Sequence, residues 1–342
     1  MKKIRIGVLG VGRFGRLHLR VWQQFPHCEV VAIADVNEEL LRKVAAEFSI
    51  EQTYQNADDM IRHPHLDVID IVCDEDAHGR YVIESLNQHK HVFVEKPLAT
   101  SYREAEEIGR LAKSVGKIVM VGNISRFSQP YIAIKRSVES GILGQLGMIR
   151  AKRHFSKAWF ENFGKRVHPV YESGIHDLDL ILWLVDSPCR EVYAVERRLS
   201  GYAYPDLFSV ILTFANGVVA SLDSAWLVPE AAPQNLVETL ELDGTIDADL
   251  EVIGNKGKAK FQMIHSGLSI WTERQVLQPE LSLWPTEHDG IGGAIRAELQ
   301  HFLNQVKIGN ESPVAPLIHS VEALKIAEAI VLSARERRVI TL

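Results

Sequence analysis

The hexapeptide Gly10-Val11-Gly12-Arg13-Phe14-Gly15 limits the folds open to this chain more sharply than its composition does. It directly follows an aliphatic, β-branched run at residues 4–9, and an amphipathic stretch begins inside it. Glycines in this spacing allow a tight turn, a close approach to the backbone, and close packing of a helix on a strand. The pattern predicts a strand, a turn and a helix in that order, and a glycine-rich turn that binds nothing is the alternative reading.

The alternation of strand-like and helical patterns continues to about residue 120. Further β-branched runs lie at 30–34, 68–72, 91–94 and 118–121, with helical patterns at 38–48 and 102–114. Such runs predict parallel strands, covered on both faces and joined by right-handed helical crossovers. We therefore predict an α/β Rossmann domain, with a doubly wound parallel sheet, over residues 1–124.

Beyond residue 124 the pattern changes to short strands separated by Gly, Asn and Pro. These runs lie at 147–155, 191–200, 207–214, 218–226, 237–242, 249–253, 259–264 and 267–271. Helical patterns lie at 173–184, 292–306 and 318–335. The dipeptide Asn216-Gly217 predicts a hairpin. We predict an α+β domain over residues 125–342 with a large, mostly antiparallel sheet, and its last helix, 318–335, is a candidate for packing back on the first domain.

Composition argues against several classes of function. The 342 residues include 38 basic and 44 acidic side chains, a formal net charge of −6, which gives no electrostatic support for a nucleic-acid partner. We find no uncharged apolar run of 18 or more residues and expect no membrane partner. The odd number of widely spaced cysteines, Cys28, Cys73 and Cys189, favours a reducing cytoplasm. Without CxxC or HExxH spacing, we expect no metal site.

Asp35 completes the pattern of a dinucleotide site. It ends the run 30–34, about 20 residues after Gly15, where a carboxylate accepts hydrogen bonds from the adenosine ribose. A 2′-phosphate would be repelled there, so NAD is favoured over NADP unless Arg13 or Lys43 compensates. A carboxylate that caps the strand end is the alternative. The predicted cofactor contacts are Gly10, Val11, Gly12, Arg13, Phe14, Gly15 and Asp35.

The segment 91–97, HVFVEKP, resembles the Gfo/Idh/MocA oxidoreductase family, which includes glucose-fructose oxidoreductase and inositol dehydrogenases. The same family order is seen in the GxGxxGxxH pattern that ends at His18, in Arg126-Phe127, and in the segment 174–179, over nearly the whole chain. The resemblance implies an open-faced sheet after the Rossmann domain. It also implies homodimers or homotetramers formed through that sheet.

Three residues are the predicted catalytic set, and each has a structural alternative. Lys96 follows a strand at its carboxyl edge, where it would share a proton with a substrate hydroxyl; a surface lysine before a turn is the alternative. Glu172 and His176 are four residues apart, which suits a carboxylate that orients and a histidine that removes the hydroxyl proton. The family usually has Asp at the position of Glu172. A helix cap, for Glu172, and a histidine bonded at a helix start, for His176, are the alternatives.

Other candidates extend this set. Asp74, His78, Glu95 and Lys96 are expected at the cofactor rim, and Lys96, Arg126, His154, Glu172 and His176 at the substrate. Basic and aromatic residues alternate in 152–168, where they would bind an acidic group and cover a sugar ring, or form a subunit contact. This stretch includes Arg153, Lys157, Trp159, Phe160, Phe163 and His168.

The predicted function is an NAD-dependent oxidoreductase. It would transfer hydride between the nicotinamide and a secondary alcohol of a sugar, a sugar derivative or an inositol-like cyclic polyol. Two alternatives stay open: a redox-neutral glycosidase that uses bound NAD, and a non-catalytic dinucleotide-binding sensor of the same fold.

Overall fold

The strand and helix patterns of the first 127 residues form the elements expected of them. The computed structural model describes residues 3–235, 243–264, 268–273 and 275–342. The elements up to residue 127 are β1 Ile4–Leu9, α1 Arg13–Trp22, β2 Cys28–Ala34, α2 Glu38–Phe48, β3 Gln52–Tyr54, α3 Ala57–Ile61, β4 Val68–Ile71, α4 His78–Asn87, β5 His91–Glu95, α5 Tyr102–Val115, β6 Val119–Gly122 and a 3-10 turn, Ile124–Phe127.

These strands form a parallel six-stranded sheet in the order β3-β2-β1-β4-β5-β6. The central strand β4 is buried along its whole length, as a sheet covered on both faces requires. Helix α5 begins at Ser101, whose hydroxyl accepts from the Glu104 amide, and ends at Gly116 in the left-handed region. The predicted doubly wound parallel sheet is confirmed. The short strand β3 and the helices α3 and α4 add to what the sequence predicted.

The remaining elements are mainly strands. They are α6 Gln129–Glu139, β7 Leu146–Ser156, α7 Lys157–Phe163, a π-helical turn Val170–Gly174, α8 Ile175–Val185, β8 Cys189–Arg197, β9 Leu207–Phe214, β10 Val219–Val228, β11 Ile246–Gly254, β12 Lys258–Gln262, β13 Ile270–Trp271, β14 Val276–Leu277, β15 Thr286–Glu287, β16 Gly290–Ile291, α9 Gly293–Ile308, α10 Leu317–Glu336 and β17 Ile340–Thr341. The predicted strand at 237–242 lies outside the described residues, and in the described part of the run 267–271, residues 268–271, the strand is β13.

Seven of these strands form a mixed sheet in the order β12-β11-β7-β10-β9-β8-β17. Only the pair β7 and β10 is parallel among the pairs of this sheet that the structure describes. Burial alternates along β8 and β9, so one face of the sheet forms the core. The other face exposes Tyr193, Val195 and Ile211. The predicted mostly antiparallel, open-faced sheet is confirmed.

The chain divides into two compact units. The first contains the residues up to Phe127 together with Leu283–Val321, and the second contains Ser128–Ser282 with Glu322–Leu342. The predicted boundary after residue 124 is close to the first division. The predicted second domain, 125–342, includes the segment 283–321 with α9, whereas in the structure this segment belongs to the first unit. In the described parts of the chain, no helix is long and apolar enough to cross a membrane.

Candidate active site

The glycine turn after β1 combines close packing with open space. Gly10 has a φ of +90°, and a Cβ there would lie 2.6 Å from the carbonyl oxygen of Val72. A Cβ on Gly15 would collide with the carbonyl of Gly10. At Gly12, in contrast, a Cβ would have no atom within 4 Å. Packing therefore explains the outer two glycines, whereas the middle one borders a space that a ligand can enter.

The start of α1 provides groups that suit a diphosphate. Gly12 is the N-cap and has no side chain to cover the first amides of the helix. The first turn carries Arg13 and Arg16 and no acidic residue. The first backbone amides of the helix and the positive end of its dipole therefore meet at this point, and both favour an anion.

Asp35, at the carboxyl end of β2, is oriented by the glycine turn. One of its carboxylate oxygens accepts from the amide of Val11 at 2.9 Å, and the other accepts from the amide of Asn37 at 2.8 Å. The carboxylate is half-buried and retains lone pairs for a further donor. Asp35 thus joins the glycine turn to the start of α2. The geometry fits both the ribose contact and the strand-end cap that the sequence allowed.

The loops after β4 and β5 are tied together by His78. Its side chain is buried, with Nδ1 2.7 Å from the carbonyl oxygen of Pro97 and Nε2 2.9 Å from that of Cys73. Both ring nitrogens therefore contact backbone. Asp74 is exposed, and its contact with the cofactor stays a prediction. The buried His78 ring holds the two loops together through their main chain, whereas the sequence led us to expect a contact with the cofactor.

Lys96 directly follows β5 and is half-buried. The Lys96-Pro97 peptide bond is cis. The amide of Lys96 lies 3.3 Å from Oε2 of Glu95, which accepts from it. Glu95 itself is turned inward and is 8% exposed, so the cofactor contact expected of it is replaced by contacts inside the first unit.

Arg126 is a correction to the predicted substrate residues. Its side chain is 1% exposed, and Nη1 donates to the carbonyl oxygen of Val314 at 2.8 Å. Nη2 lies 3.0 Å from Nδ1 of His319. The guanidinium therefore fastens residues 314–319 within the first unit. The sequence pair Arg126-Phe127 carried no signal for this, because the partners lie almost 200 residues later.

In the second unit, a π-helical turn precedes the helix that carries His176. The amide of Val170 donates to Nδ1 of His168 at 3.1 Å, and the hydroxyl of Ser173 contacts that of Ser224 at 2.7 Å. π-Helical turns are rare in proteins, but those that occur are often at functional sites. Glu172 lies in the turn and His176 at the start of α8, both half-buried. The structure thus places both on one continuous helical segment, which begins earlier than predicted.

Arg153 fixes the start of α8. Its Nε and Nη2 donate to the two carboxylate oxygens of Asp177 at 2.8 and 3.0 Å, and both side chains are buried. Burial lowers the pKa of Arg153, but Asp177, followed by Tyr131, outweighs burial and raises that pKa above its ordinary value. Arg153 is therefore unable to serve as the predicted anion contact without breaking this pair.

His154 lies on the other face of the sheet. Successive residues of a strand point to opposite faces, and Arg153 faces α8. Burial, followed by the charge of Lys152, lowers the pKa of His154. The structure thus brings Arg153 of β7 to the helix that carries His176 and places His154 on the opposite face of the strand, and the substrate role of His154 stays a prediction.

The aromatic side chains of 152–168 are mostly core residues. Trp159 and Phe160 are 8% and 1% exposed, and Phe155 stacks on Trp226 with ring centroids 4.5 Å apart. His168 is buried and lies 3.2 Å from Glu196, whose pKa its hydrogen bond lowers. Lys157 is exposed, and the side chain of Phe163 is outside what is described. The predicted sugar-covering surface is thus packed into the second unit.

Two family sequence models match this chain. Residues 4–123 match the oxidoreductase family with an NAD-binding Rossmann fold, and residues 131–260 match the GFO/IDH/MocA C-terminal domain. The chain belongs to the GFO/IDH/MocA oxidoreductase family. The resemblance seen in the sequence is confirmed, and the first matched segment is an NAD-binding Rossmann fold.

Relatives extend over the whole chain. It is 24% identical to the myo-inositol 2-dehydrogenase of Thermotoga maritima, over 99% of this chain and 98% of that one. It is 25% identical to the D-apiose dehydrogenase of Paraburkholderia graminis, over 100% and 90%. The crystal structure of myo-inositol 2-dehydrogenase from Lactobacillus plantarum matches with a TM-score of 0.85 and 23% identity, over 100% of both chains, which shows the shared fold. Among the described residues, no group of three or more His, Cys, Asp or Glu side chains is placed to hold a metal ion.

Proposed function

We propose that this oxidoreductase is an NAD-dependent dehydrogenase for a secondary alcohol of a sugar, a sugar derivative or an inositol-like cyclic polyol. The observation that carries the cofactor assignment is the open space at Gly12 beside a carboxylate oriented by Val11. The substrate class is supported by the full-length similarity to an inositol dehydrogenase and to an aldose dehydrogenase.

The residues at the glycine turn fit NAD in their chemistry. The amides at the start of α1 would hold the diphosphate, and Asp35 would accept from the ribose hydroxyls. The same carboxylate disfavours the 2′-phosphate of NADP through charge repulsion. NAD, when bound, supplies the acceptor for the hydride.

Side chains of this protein would accept the proton of the substrate hydroxyl. His176 would accept it as the C–H bond breaks, and the ammonium of Lys96 would hold the same oxygen and share its proton. Glu172, four residues before His176, would orient the imidazole or a neighbouring hydroxyl of the substrate. The Glu172 side chain is one methylene longer than that of the Asp usual in the family, and we expect its carboxylate to reach the same position.

The test is the growth of reduced-nicotinamide absorbance with NAD, and separately with NADP. The substrates are inositols, aldoses, deoxy- and amino-sugars and sugar acids. We expect turnover of one of these substrate classes with NAD. The variant Lys96→Met should show no turnover, while its affinity for NAD should stay within about threefold of that of the unsubstituted protein. Absorbance that never grows, while NAD still raises the melting temperature, would contradict the dehydrogenase and favour the redox-neutral glycosidase or the sensor.

We also propose that the open face of the mixed sheet pairs with a second copy, giving a homodimer or homotetramer. Tyr193, Val195 and Ile211 are 40%, 48% and 51% exposed on the neighbouring strands β8 and β9, and Tyr193 pairs directly with Ile211. Apolar side chains that lie together on an exposed face mark interaction sites. Light scattering should give a multiple of the 38.4 kDa chain mass, and Ile211→Lys should reduce it. A monomeric mass for the unsubstituted protein would contradict this.

The free thiols Cys28, Cys73 and Cys189 support a cytoplasmic location.

A further inference from the structure

Three ionisable side chains, His18, Asp70 and Glu95, are buried together in the first unit. His18 and Asp70 are 0% exposed and Glu95 is 8% exposed. Nδ1 of His18 lies 2.9 Å from Oδ2 of Asp70, and Nε2 lies 3.3 Å from Oε1 of Glu95. The reaction proposed above uses none of these contacts. We call them the buried trio.

Aromatic side chains enclose the trio. The rings of Phe14 and Phe93 lie 5.2 and 5.7 Å from that of His18, between centroids. The indole N–H of Trp22 donates to Oδ2 of Asp70 at 2.6 Å. In such a low-dielectric environment charges interact more strongly than in water, and an unpaired charge is costly. Each carboxylate of the trio therefore needs the His18 cation close to it.

The positions of the ring nitrogens indicate which form of His18 is present. Each nitrogen faces a carboxylate oxygen, and a neutral imidazole has only one N–H to donate. The imidazolium serves both carboxylates, with a hydrogen bond to Asp70 and an ion contact to Glu95. Burial by itself lowers the pKa of His18, but Asp70 and Glu95 outweigh it and raise that pKa to about 10. His18 is thus a buried cation at neutral pH.

Glu95 connects the trio to the residue that follows it. Its second oxygen accepts from the backbone amide of Lys96 at 3.3 Å. The end of β6 leaves room for this carboxylate, because a Cβ on Gly122 would lie 2.5 Å from Oε1. One oxygen of Glu95 is therefore held by His18 while the other holds the main chain of Lys96.

We propose that His18 is a positioning residue for Lys96: its cationic ring anchors the Glu95 carboxylate, which fixes the backbone from which the Lys96 side chain extends. The proposal rests on the function proposed above, in which Lys96 acts on the substrate. Asp70 keeps His18 charged and oriented from the far side. A displacement of about 1 Å at a reacting group costs on the order of 10²-fold in rate, so loose anchoring should be visible in kcat.

The test compares two neutral replacements of His18 with different reach. The amide nitrogen of glutamine approximates Nε2 of histidine and can donate to Glu95, whereas that of asparagine approximates Nδ1 and can donate only to Asp70. We expect His18→Asn to lower kcat on the order of 10²-fold and His18→Gln to lower it less than about tenfold. NAD affinity should change by less than about threefold in both, because the glycine turn and Asp35 are untouched.

A second readout does not depend on activity. Hydrogen exchange at the Lys96 amide should be faster in His18→Asn than in the unsubstituted protein, and close to it in His18→Gln. Asp70→Asn serves if either His18 variant fails to fold: it removes a charge that favours the cationic ring, and it should also accelerate exchange at Lys96.

The outcomes separate this proposal from the proposed function. The positioning role would be overturned if the two His18 variants lost kcat only in proportion to their fall in melting temperature and exchanged the Lys96 amide at the same rate. The same conclusion follows if both variants retain the original kcat and exchange rate. If the unsubstituted protein oxidises no substrate, the dehydrogenase proposal fails, and the exchange rates at Lys96 still decide whether His18 holds that residue.

Discussion

Each unit of this oxidoreductase buries an ion cluster next to one of its candidate catalytic residues. In the first unit the cluster is His18 with two carboxylates, of which Glu95 immediately precedes Lys96. In the second unit it is Arg153 with Asp177, which immediately follows His176. The cations differ: a guanidinium stays charged at any pH a protein survives, whereas an imidazolium releases its proton. The support of His176 should therefore be independent of pH, and that of Lys96 should not.

The largest expected effect is the pH dependence of stability that comes from His18. The groups that face its ring are Asp70 on β4, Glu95 on β5 and, through Asp70, the indole of Trp22. Its pKa is raised from 6.5 to about 10 on folding, so the stabilisation is fully present below pH 6.5 and is lost as the pH rises towards 10. A difference of this size corresponds to at most about 5 kcal/mol.

Urea unfolding from pH 6 to 10 measures this directly. The difference in unfolding free energy between the unsubstituted protein and His18→Gln should shrink across that range. The corresponding difference for Arg153→Leu should change less, because the guanidinium of Arg153 stays charged across that range. A constant difference for His18→Gln would show that its ring is neutral in the folded protein.

The second effect is the loss of the Arg153 cation. Arg153→Leu leaves Asp177 buried without its partner, which costs about 3–5 kcal/mol of unfolding free energy. The double variant Arg153→Leu, Asp177→Leu should recover most of that loss, because neither charge of this pair is then left buried without its partner. Chemical denaturation of the three proteins provides the measurement. A loss below about 1 kcal/mol in the single variant would mean that water reaches this pair.

A smaller effect is expected from crowding the Glu95 carboxylate. Gly122→Ala places a Cβ against Oε1 of Glu95 and should cost about 1–3 kcal/mol. Gly109→Ala is the matched control, because its Cβ, inside α5, would meet only Val321 at 3.9 Å. The control should gain about 0.5–1 kcal/mol from helix propensity. Shifts in melting temperature of the same sign in both variants would contradict the close contact at Gly122.

The first unit was predictable because its signals are local. Gly10, Gly12 and Gly15 encode their turn in six residues, and Asp35 ends a strand that the β-branched run already marks. Asp70, however, lies in the aliphatic strand β4, and its only sequence signal is a charge between two isoleucines. Its partners come from α1 and β5, which the sequence cannot bring together without the sheet order. The trio could therefore not be predicted, although His18 is part of the GxGxxGxxH motif.

In the second unit the errors come from register and burial. The choice between Arg153 and His154 depends on which face of β7 is covered, and a shift of one residue exchanges the two faces. The alternation of basic and aromatic residues in 152–168 is equally compatible with a binding surface and with a core edge. Phe155 and Phe160 prove to pack on Trp226, on a strand more than 60 residues away. Only the tertiary structure distinguishes the two.

The claim on which this account depends is that Lys96 and His176 serve the same chemical step. The most direct test is kcat for hydride transfer to NAD in the unsubstituted protein, Lys96→Met, His176→Gln and the double variant. Residues that act as a unit are not additive, so the double variant should be about as slow as either single one. Losses that multiply in the double variant, or a single variant with the original kcat, would contradict the claim.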